Sequence, residues 1–404
     1  MKVIVVGNGG REHTIAWKIA QSAKVETVFC VPGNGGTANE SKCINIDVKN
    51  LDYVKAGENP YVAVAKHEGC ELAVIGPEDP LAEGLADEFW NAGIPCVGPK
   101  KAGAQLEASK DLSKEFMEKY NVACAKSKTF TNQKAAEEYV RQHGAPIVIK
   151  ADGLAAGKGV VVAANVEDAL AAVAELMDSN GRVGAAGSKL VIEDYLQGVE
   201  ISVLAAVNVD PAHPENACII PFLPSRDHKR LMDGAKGPNT GGMGTVCPLD
   251  DVTPEMMAQF QKDCLEPTLK GLVGEGFDYR GFIFFGVMLT KEGPKLLEYN
   301  VRLGDPETQS VLPLMDFDFV EMCMAICDGS LKNFKFSWKK GYQVSPVVVS
   351  GGYPGSYPKG KKITLDNAKI AAGGAKIFVA GAILDRRSED NSMVTSGGRV
   401  LCCS

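Results

Sequence analysis

The stretch Lys150-Ala-Asp-Gly153-Leu-Ala-Ala-Gly157-Lys158-Gly159-Val160 separates two short β-branched runs, residues 147–150 and 160–163. It invites comparison with the phosphate loop G-x-x-x-x-G-K-[ST], and it fails on three counts. The glycine spacing is one residue short, and Gly159 follows Lys158 where Mg²⁺ coordination needs a hydroxyl. What comes next is a strand, not a helix whose N-terminus receives phosphate. A glycine loop between antiparallel strands is instead a flap. Gly153, Gly157 and Gly159 let the backbone fold down over a polyphosphate, and Lys158 carries a charge to it. A plain hairpin tip is the bland alternative, but hairpins need only about two to five loop residues. The longer tip, with three glycines and a lysine, favours a lid.

Upstream of the flap, residues 2–6, 26–31, 71–75 and 94–97 read as buried strands, with helices over 12–22 and 81–92 between them. This alternation predicts a doubly wound parallel sheet of roughly 100 residues. A long helix is predicted over 102–120. Around and after the flap the pattern changes to antiparallel pairing, with strands at 189–193, 201–209 and 282–289 and helices at 166–178, 254–273 and 316–328. Runs at 342–350, 377–382 and 398–402 outline a small β-rich C-terminal domain.

With 404 residues the chain is too long for a single core. The net charge of −7 argues against a nucleic-acid partner, which needs a basic face. No apolar stretch approaches the roughly 20 residues of a membrane helix, and no signal peptide opens the chain, so a cytoplasmic protein is expected. Twelve cysteines without a single Cys-x-x-Cys pair read as reduced, mostly buried thiols.

Three further stretches carry chemistry. In Lys295-Leu-Leu-Glu298-Tyr-Asn300-Val-Arg302 the period of two puts Glu298, Asn300 and Arg302 on one strand face, and Leu297, Tyr299 and Val301 on the other. Oxygen donors at i and i+2 suit Mg²⁺, which takes one or two protein ligands plus phosphate oxygens. Arg302 is placed to stabilise a transferring phosphoryl group. The turn 304–309, with Asp305, adds polar groups. Gly7-Asn8-Gly9-Gly10-Arg11-Glu12-His13 joins a strand to a helix but matches the dinucleotide fingerprint only in part, because Glu12 takes the third glycine position. Asn8, Gly9 and Gly10 still offer backbone donors for a phosphate or ribose. Finally, Asp227-His-Lys-Arg feeds the glycine loop 237–244, and Asp227 suits an ammonium group.

Four of these pieces in order resemble the phosphoribosylamine–glycine ligase family of the ATP-grasp superfamily: Val-Val-Gly-Asn-Gly-Gly-Arg-Glu-His at the start, residues 150–160, residues 238–244 and residues 298–309. The resemblance runs from Lys2 to Cys402. It implies a mixed α/β and α+β multidomain fold: a doubly wound α/β domain at 1–104, a two-lobed ATP-grasp core at 105–330 with its lid lobe at about 122–194, and a β-rich domain at 331–404. It implies ATP with Mg²⁺ or Mn²⁺, the small-molecule substrates glycine and 5-phosphoribosylamine, and a monomer or weak homodimer in de novo purine biosynthesis. By position it assigns Lys110 and Lys150 to the nucleotide phosphates, Glu193, Tyr195 and Leu196 to the adenine, and Glu200 to the ribose. Glu298 and Asn300 are assigned to the metal. Asn8, Gly9, Gly10, Asn239, Thr240, Gly241 and Gly242 face phosphoribosylamine, and Asp227, Arg302 and Asp305 attend glycine and an acyl phosphate, with Lys158 closing from the lid. Other ATP-grasp ligases, and a nucleotide sensor without turnover, are the alternative readings. A sensor would be expected to lack Glu298, Asn300 or Arg302.

Overall fold

The computed structural model describes residues 1–49, 51–154, 159–178, 181, 183–385 and 392–404, apart from the side chain of Ala185. Lys2–Gly7 is the central strand of a parallel sheet ordered Cys43–Asn45, Thr27–Pro32, Lys2–Gly7, Leu72–Ile75, Cys96–Val97. Its alternate residues enter two different cores: Ile4 and Val6 on one side, Val3 and Val5 on the other. Burial on both faces explains the continuous apolar runs of these strands. The edge strand Cys43–Asn45 is only three residues long and carries no such run, so the sequence pattern did not mark it.

A four-stranded antiparallel sheet, ordered Cys218–Pro221, Gly198–Val209, Tyr279–Thr290, Gly293–Asn300, forms the centre of the molecule. It shares both cores with the N-terminal sheet: Ile283 and Phe285 join Ile4, while Phe282 and Phe284 join Val3. The lid lobe is separate. Its sheet, ordered Ser127–Phe130, Leu190–Asp194, Ile147–Ala151, Val160–Ala163, packs under helices Gln133–His143 and Val166–Leu176 around a core of its own. Strands Ile147–Ala151 and Val160–Ala163 are antiparallel neighbours, as the β-branched runs imply. Residues 155–158, including Gly157 and Lys158, lie outside the described residues.

The C-terminal region is bound to what precedes it. One five-stranded sheet is ordered Arg226–Asp227, Gly244–Cys247, Gln343–Val349, Arg399–Cys403, Ile377–Val379, so two of its strands come from before residue 331. The Val379 N–H donates to His13 Nδ1 at 2.7 Å, tying this sheet to the first helix, Gly10–Ala20.

Two predicted helices are broken where local conformation overrides composition. The helix expected over 102–120 is two, Lys101–Ala108 and Lys110–Tyr120. Ser109 between them is extended, and its hydroxyl accepts the Leu112 N–H at 3.2 Å, an N-cap that restarts the helix. The helix expected over 81–92 divides at Gly84, whose φ of +101° ends one helix in the left-handed region.

Candidate active site

The strand Gly293–Asn300 carries a bulge. Gly286 pairs with Glu298 while Val287 pairs with Leu296, leaving Leu297 as the extra residue. Leu296 therefore takes the core position beside Tyr299 and Val301. Leu297 is not on their face, as strict alternation had implied; it lines the same cleft as Glu298, Asn300 and Arg302. The bulge also turns the Leu297 carbonyl towards Lys150, whose Nζ donates to it at 3.1 Å.

That cleft encloses about 650 Å³ between the lid lobe, the central sheet and the N-terminal domain. The helix break at Ser109 sets Lys110 at its wall. Asp152, at the base of the flap, accepts the Lys110 N–H at 2.6 Å and the Asp111 N–H at 3.2 Å, so its carboxylate caps the second helix. The Lys110 Nζ reaches back to the Gly153 carbonyl at 2.7 Å. Burial lowers the Lys110 pKa against the pull of Glu298. Lys150 is buried too, but Glu193 and Glu298 more than offset the desolvation and raise its pKa. Gly153 and Gly159 line the cleft beside these lysines.

Burial alone would raise the Glu298 pKa; Lys150, Lys229, Lys110 and Arg302 together lower it instead. Among the described residues no hydrogen bond or ion pair occupies its carboxylate, while the Asn300 Oδ1 accepts from Arg302 Nη2 at 3.0 Å. One free carboxylate and one amide oxygen on a shared face fit a Mg²⁺-class ion completed by phosphate oxygens. No group of three or more His, Cys, Asp or Glu among the described residues forms a cage that would hold a metal unaided.

Arg302 is clamped: its Nε donates to Glu78 at 3.1 Å and its Nη2 to Glu107 at 2.7 Å. Glu78 follows the strand Leu72–Ile75, next to Lys2–Gly7 in the sheet, where the strand order reverses and open α/β sheets form their crevice. Arg11 shares that carboxylate at 3.6 Å and donates to the Leu303 carbonyl at 3.1 Å. In the loop 7–10 the Gly9 N–H, expected as a donor for a phosphate or ribose, is already taken: Glu12 Oε2 accepts it at 2.6 Å, and a Cβ at Gly7 or Gly76 would strike the Glu12 side chain. Gly9 and Gly10 instead face the 304–309 turn; a Cβ at Gly10 would lie 2.6 Å from Gln309 Nε2.

Asp305 lies 3.7 Å from the Arg399 guanidinium and is also influenced by that of Arg11. Burial would raise its pKa, but Arg399 and Arg11 lower it. Arg399 comes from the C-terminal sheet and donates through Nη1 to the Gly241 carbonyl at 2.6 Å and the Asp305 carbonyl at 2.8 Å. Asp227 is buried behind this loop, 3.4 Å from Lys229 Nζ, and neither carboxylate oxygen has a hydrogen-bond partner. Burial and the neighbouring Glu307 push its pKa up to about 7. Lys229 lines the cleft and lies 3.7 Å from Glu200.

Lys110, Lys150, Gly153, Gly159, Glu193, Thr240, Gly241, Glu298, Asn300, Arg302 and Asp305 thus meet in one cleft. Asn8, Gly9, Gly10, Glu200, Asp227 and Gly242 are near it but do not line it. Tyr195 and Leu196 lie in the connector between the lid lobe and the central sheet, with the Tyr195 ring exposed, and Asn239 is exposed on the hairpin Arg230–Met232/Lys236–Asn239. Arg11, Glu78, Glu107, Lys229 and Arg399 line the cleft without having been singled out. Arg11 and Lys229 sat inside quoted motifs; Glu78, Glu107 and Arg399 had no chemical pattern around them.

Family models agree with this architecture. The N domain of phosphoribosylglycinamide synthetase matches residues 1–107, its ATP-grasp domain 108–308 and its C domain 343–404. The chain belongs to the phosphoribosylglycinamide synthetase family. It is accordingly an ATP-dependent ligase. The phosphoribosylamine–glycine ligase of Clostridium acetobutylicum is 46% identical over 405 residues, spanning all of this chain and 92% of that protein. The Escherichia coli O6:H1 ligase is 45% identical, with 100% and 90% covered. The crystal structure of the Thermotoga maritima ligase superposes with a TM-score of 0.79 at 32% identity, covering 100% of this chain and 92% of that one. The biotin carboxylase domain of Hydrogenobacter thermophilus 2-oxoglutarate carboxylase, solved with MgADP and bicarbonate, shares the fold at a TM-score of 0.67 and 17% identity, over 100% of this chain and 85% of that one. All twelve cysteines are free thiols, and no helix among the described residues is long and apolar enough to cross a membrane.

Proposed function

We propose that the chain condenses glycine with 5-phosphoribosylamine, in the cytoplasm, giving glycinamide ribonucleotide, ADP and phosphate in de novo purine biosynthesis. A glycine carboxylate oxygen attacks the γ-phosphorus of ATP and ADP departs, leaving glycyl phosphate. The amine of phosphoribosylamine then attacks the acyl carbon, phosphate leaves, and the nitrogen loses a proton. The observation that carries this reading is the single cleft in which Lys110 and Lys150 face Glu298, Asn300 and Arg302. No covalent nucleophile is required, because positioning and charge stabilisation suffice for phosphoryl transfer.

In this reading Lys110 and Lys150 hold the phosphates under the lid of Gly153, Gly157, Lys158 and Gly159. Glu193 and the Tyr195–Leu196 backbone receive the adenine, and Glu200 the ribose. Glu298 and Asn300 would hold Mg²⁺ or Mn²⁺, and the bound ion would supply positive charge to the phosphate oxygens. Arg302 and Asp305 orient glycine and the acyl phosphate, and Asp227 receives the glycine ammonium. The loops of Asn8, Gly9 and Gly10 and of Asn239 to Gly242 bind phosphoribosylamine. The boundaries near 104 and 330 divide the chain into the doubly wound N-terminal domain, the ATP-grasp domain and the β-rich C-terminal domain.

The test supplies ATP, Mg²⁺, glycine and freshly generated phosphoribosylamine to the purified protein. Phosphate release that requires both glycine and the amine is expected. Release indifferent to the amine would mean another ATP-grasp reaction.

A further inference from the structure

Glu193 sits on the lid-lobe strand Leu190–Asp194, is almost wholly buried, and serves two ammonium groups. Lys150 Nζ is 2.9 Å from Oε1 and Lys114 Nζ is 3.3 Å from Oε2. The Lys150 pair follows from sheet register: Val148 pairs with Glu193, so Lys150, two residues on, is its diagonal neighbour on the same face. Lys114 approaches from the other side, on the helix Lys110–Tyr120, one turn beyond Lys110. It is buried and its Nζ also donates to the Ala125 carbonyl at 3.3 Å. Glu193 Oε1 is close to Lys150, but the geometry leaves it without a hydrogen bond. One buried carboxylate therefore carries two cations and keeps an acceptor in reserve.

The proposed reaction assigns no task to Lys114, yet burying an ammonium group is costly unless its charge is used. Lys150 has two demands on it: Glu193 in the nucleotide-free protein and a phosphate in the loaded one. When it turns to the phosphate, Glu193 would be left as an uncompensated buried charge, the costly outcome for a broken buried pair. Lys114 is the cation that remains.

We propose that Lys114 is a positioning residue that holds Glu193 aimed at the exocyclic 6-amino group of the base while Lys150 engages the phosphates. The inference rests on the reading of this cleft as the ATP site and deepens it. A base with a 6-oxo group offers no donor there, so it leaves the carboxylate unpaired.

The test compares ATP with inosine triphosphate in the wild type, Lys114→Met and Lys114→Arg. Wild type is expected to prefer ATP by about 10-fold or more in KM, the worth of a hydrogen bond to a charged group. Lys114→Met should raise the KM for ATP about 10- to 100-fold, the range of a hydrogen bond to a charged group, and bring the two nucleotides within about threefold. Its kcat at saturating ATP should stay within about threefold, because Lys114 does not act on the reacting atoms. Lys114→Arg should restore most of the preference. Should Lys114→Met be too unstable to assay, Lys114→Gln, which keeps a donor for Ala125, carries the same expectation. An unchanged KM and preference in these variants, or a fall in kcat at unchanged KM, overturns the role of Lys114. Wild-type protein that turns over neither nucleotide overturns the reading of the cleft itself, and the inference with it.

Discussion

Glu107 holds both Val301 and Arg302, residues that lie 194 and 195 positions further along the chain: one oxygen accepts the Val301 N–H and the other the Arg302 guanidinium, each at 2.7 Å. It stands near the C-terminus of the helix Lys101–Ala108, so the break at Ser109 that releases Lys110 also delivers the clamp for Arg302. Glu107→Ala removes one partner of a buried pair and strands a backbone N–H, and should cost about 3 kcal/mol of unfolding free energy. Urea denaturation checks this; a loss within error of zero would dismiss the clamp. Arg302→Lys is expected to fold but to lose about 100-fold or more in turnover, since an ammonium cannot reach Glu78, Glu107 and Asn300 at once.

Glu298 should matter far more to the reaction than to the fold. It makes no direct ion pair among the described residues, but the cations that lower its pKa also stabilise its charge in the fold. Glu298→Ala should therefore lower the melting temperature by no more than a few degrees at neutral pH, while turnover falls about 10²- to 10³-fold or more. Chelation should likewise stop turnover reversibly without lowering the melting temperature of nucleotide-free protein, because Glu298 and Asn300 alone do not form a metal cage. Near-normal turnover of the variant would sink the metal face.

Asp227 predicts a pH signature. Its folded pKa, pushed up to about 7 by burial and Glu307, exceeds the ordinary carboxyl value. Between about pH 4 and pH 7 the folded chain therefore binds more protons at this site than the unfolded chain, and stability falls as pH rises through that window. Asp227→Asn removes the penalty. It should melt higher than wild type at pH 8, with the advantage shrinking towards pH 4.5, and should lose turnover through loss of the proposed ammonium partner. Melting curves at the two pH values decide it; an advantage independent of pH would contradict the buried charge.

Arg399 brings the C-terminal sheet into the cleft and, among the described residues, uses only Nη1 for hydrogen bonds, leaving Nη2 and Nε open. Arg11 lines the same cleft, and the two guanidinium groups make this part of it suited to an anion. Arg399→Ala should raise the KM for phosphoribosylamine about 10- to 100-fold and leave the KM for ATP unchanged. Steady-state kinetics varying each substrate in turn separate the two; a shift confined to ATP would contradict it.

The doubly wound start, the antiparallel strands 147–150 and 160–163 and the alternating Glu298–Arg302 segment were legible because each is a local pattern. Continuous apolar runs follow from burial on both faces of a sheet, and polar alternation from a face on a cleft. The breaks at Ser109 and Gly84 were hidden because Lys-, Glu- and Ala-rich composition favours helix on both sides of a single capping or left-handed residue. The bulge at Leu297 was hidden because one added residue leaves no mark in a run of leucines.

Sequence by itself determined which chemistry was available: a glycine-rich loop between antiparallel strands that is not a phosphate loop, and a carboxylate, an amide and a guanidinium at spacing two. Only the tertiary structure decided how that chemistry is held. Glu78, Glu107, Lys114 and Arg399 act on residues from 79 to 224 positions away, through contacts that sheet order and helix packing create. No periodicity encodes such distances. The charge balance of a buried cleft is a sum over the elements that meet there, and that sum exists only once the chain has folded.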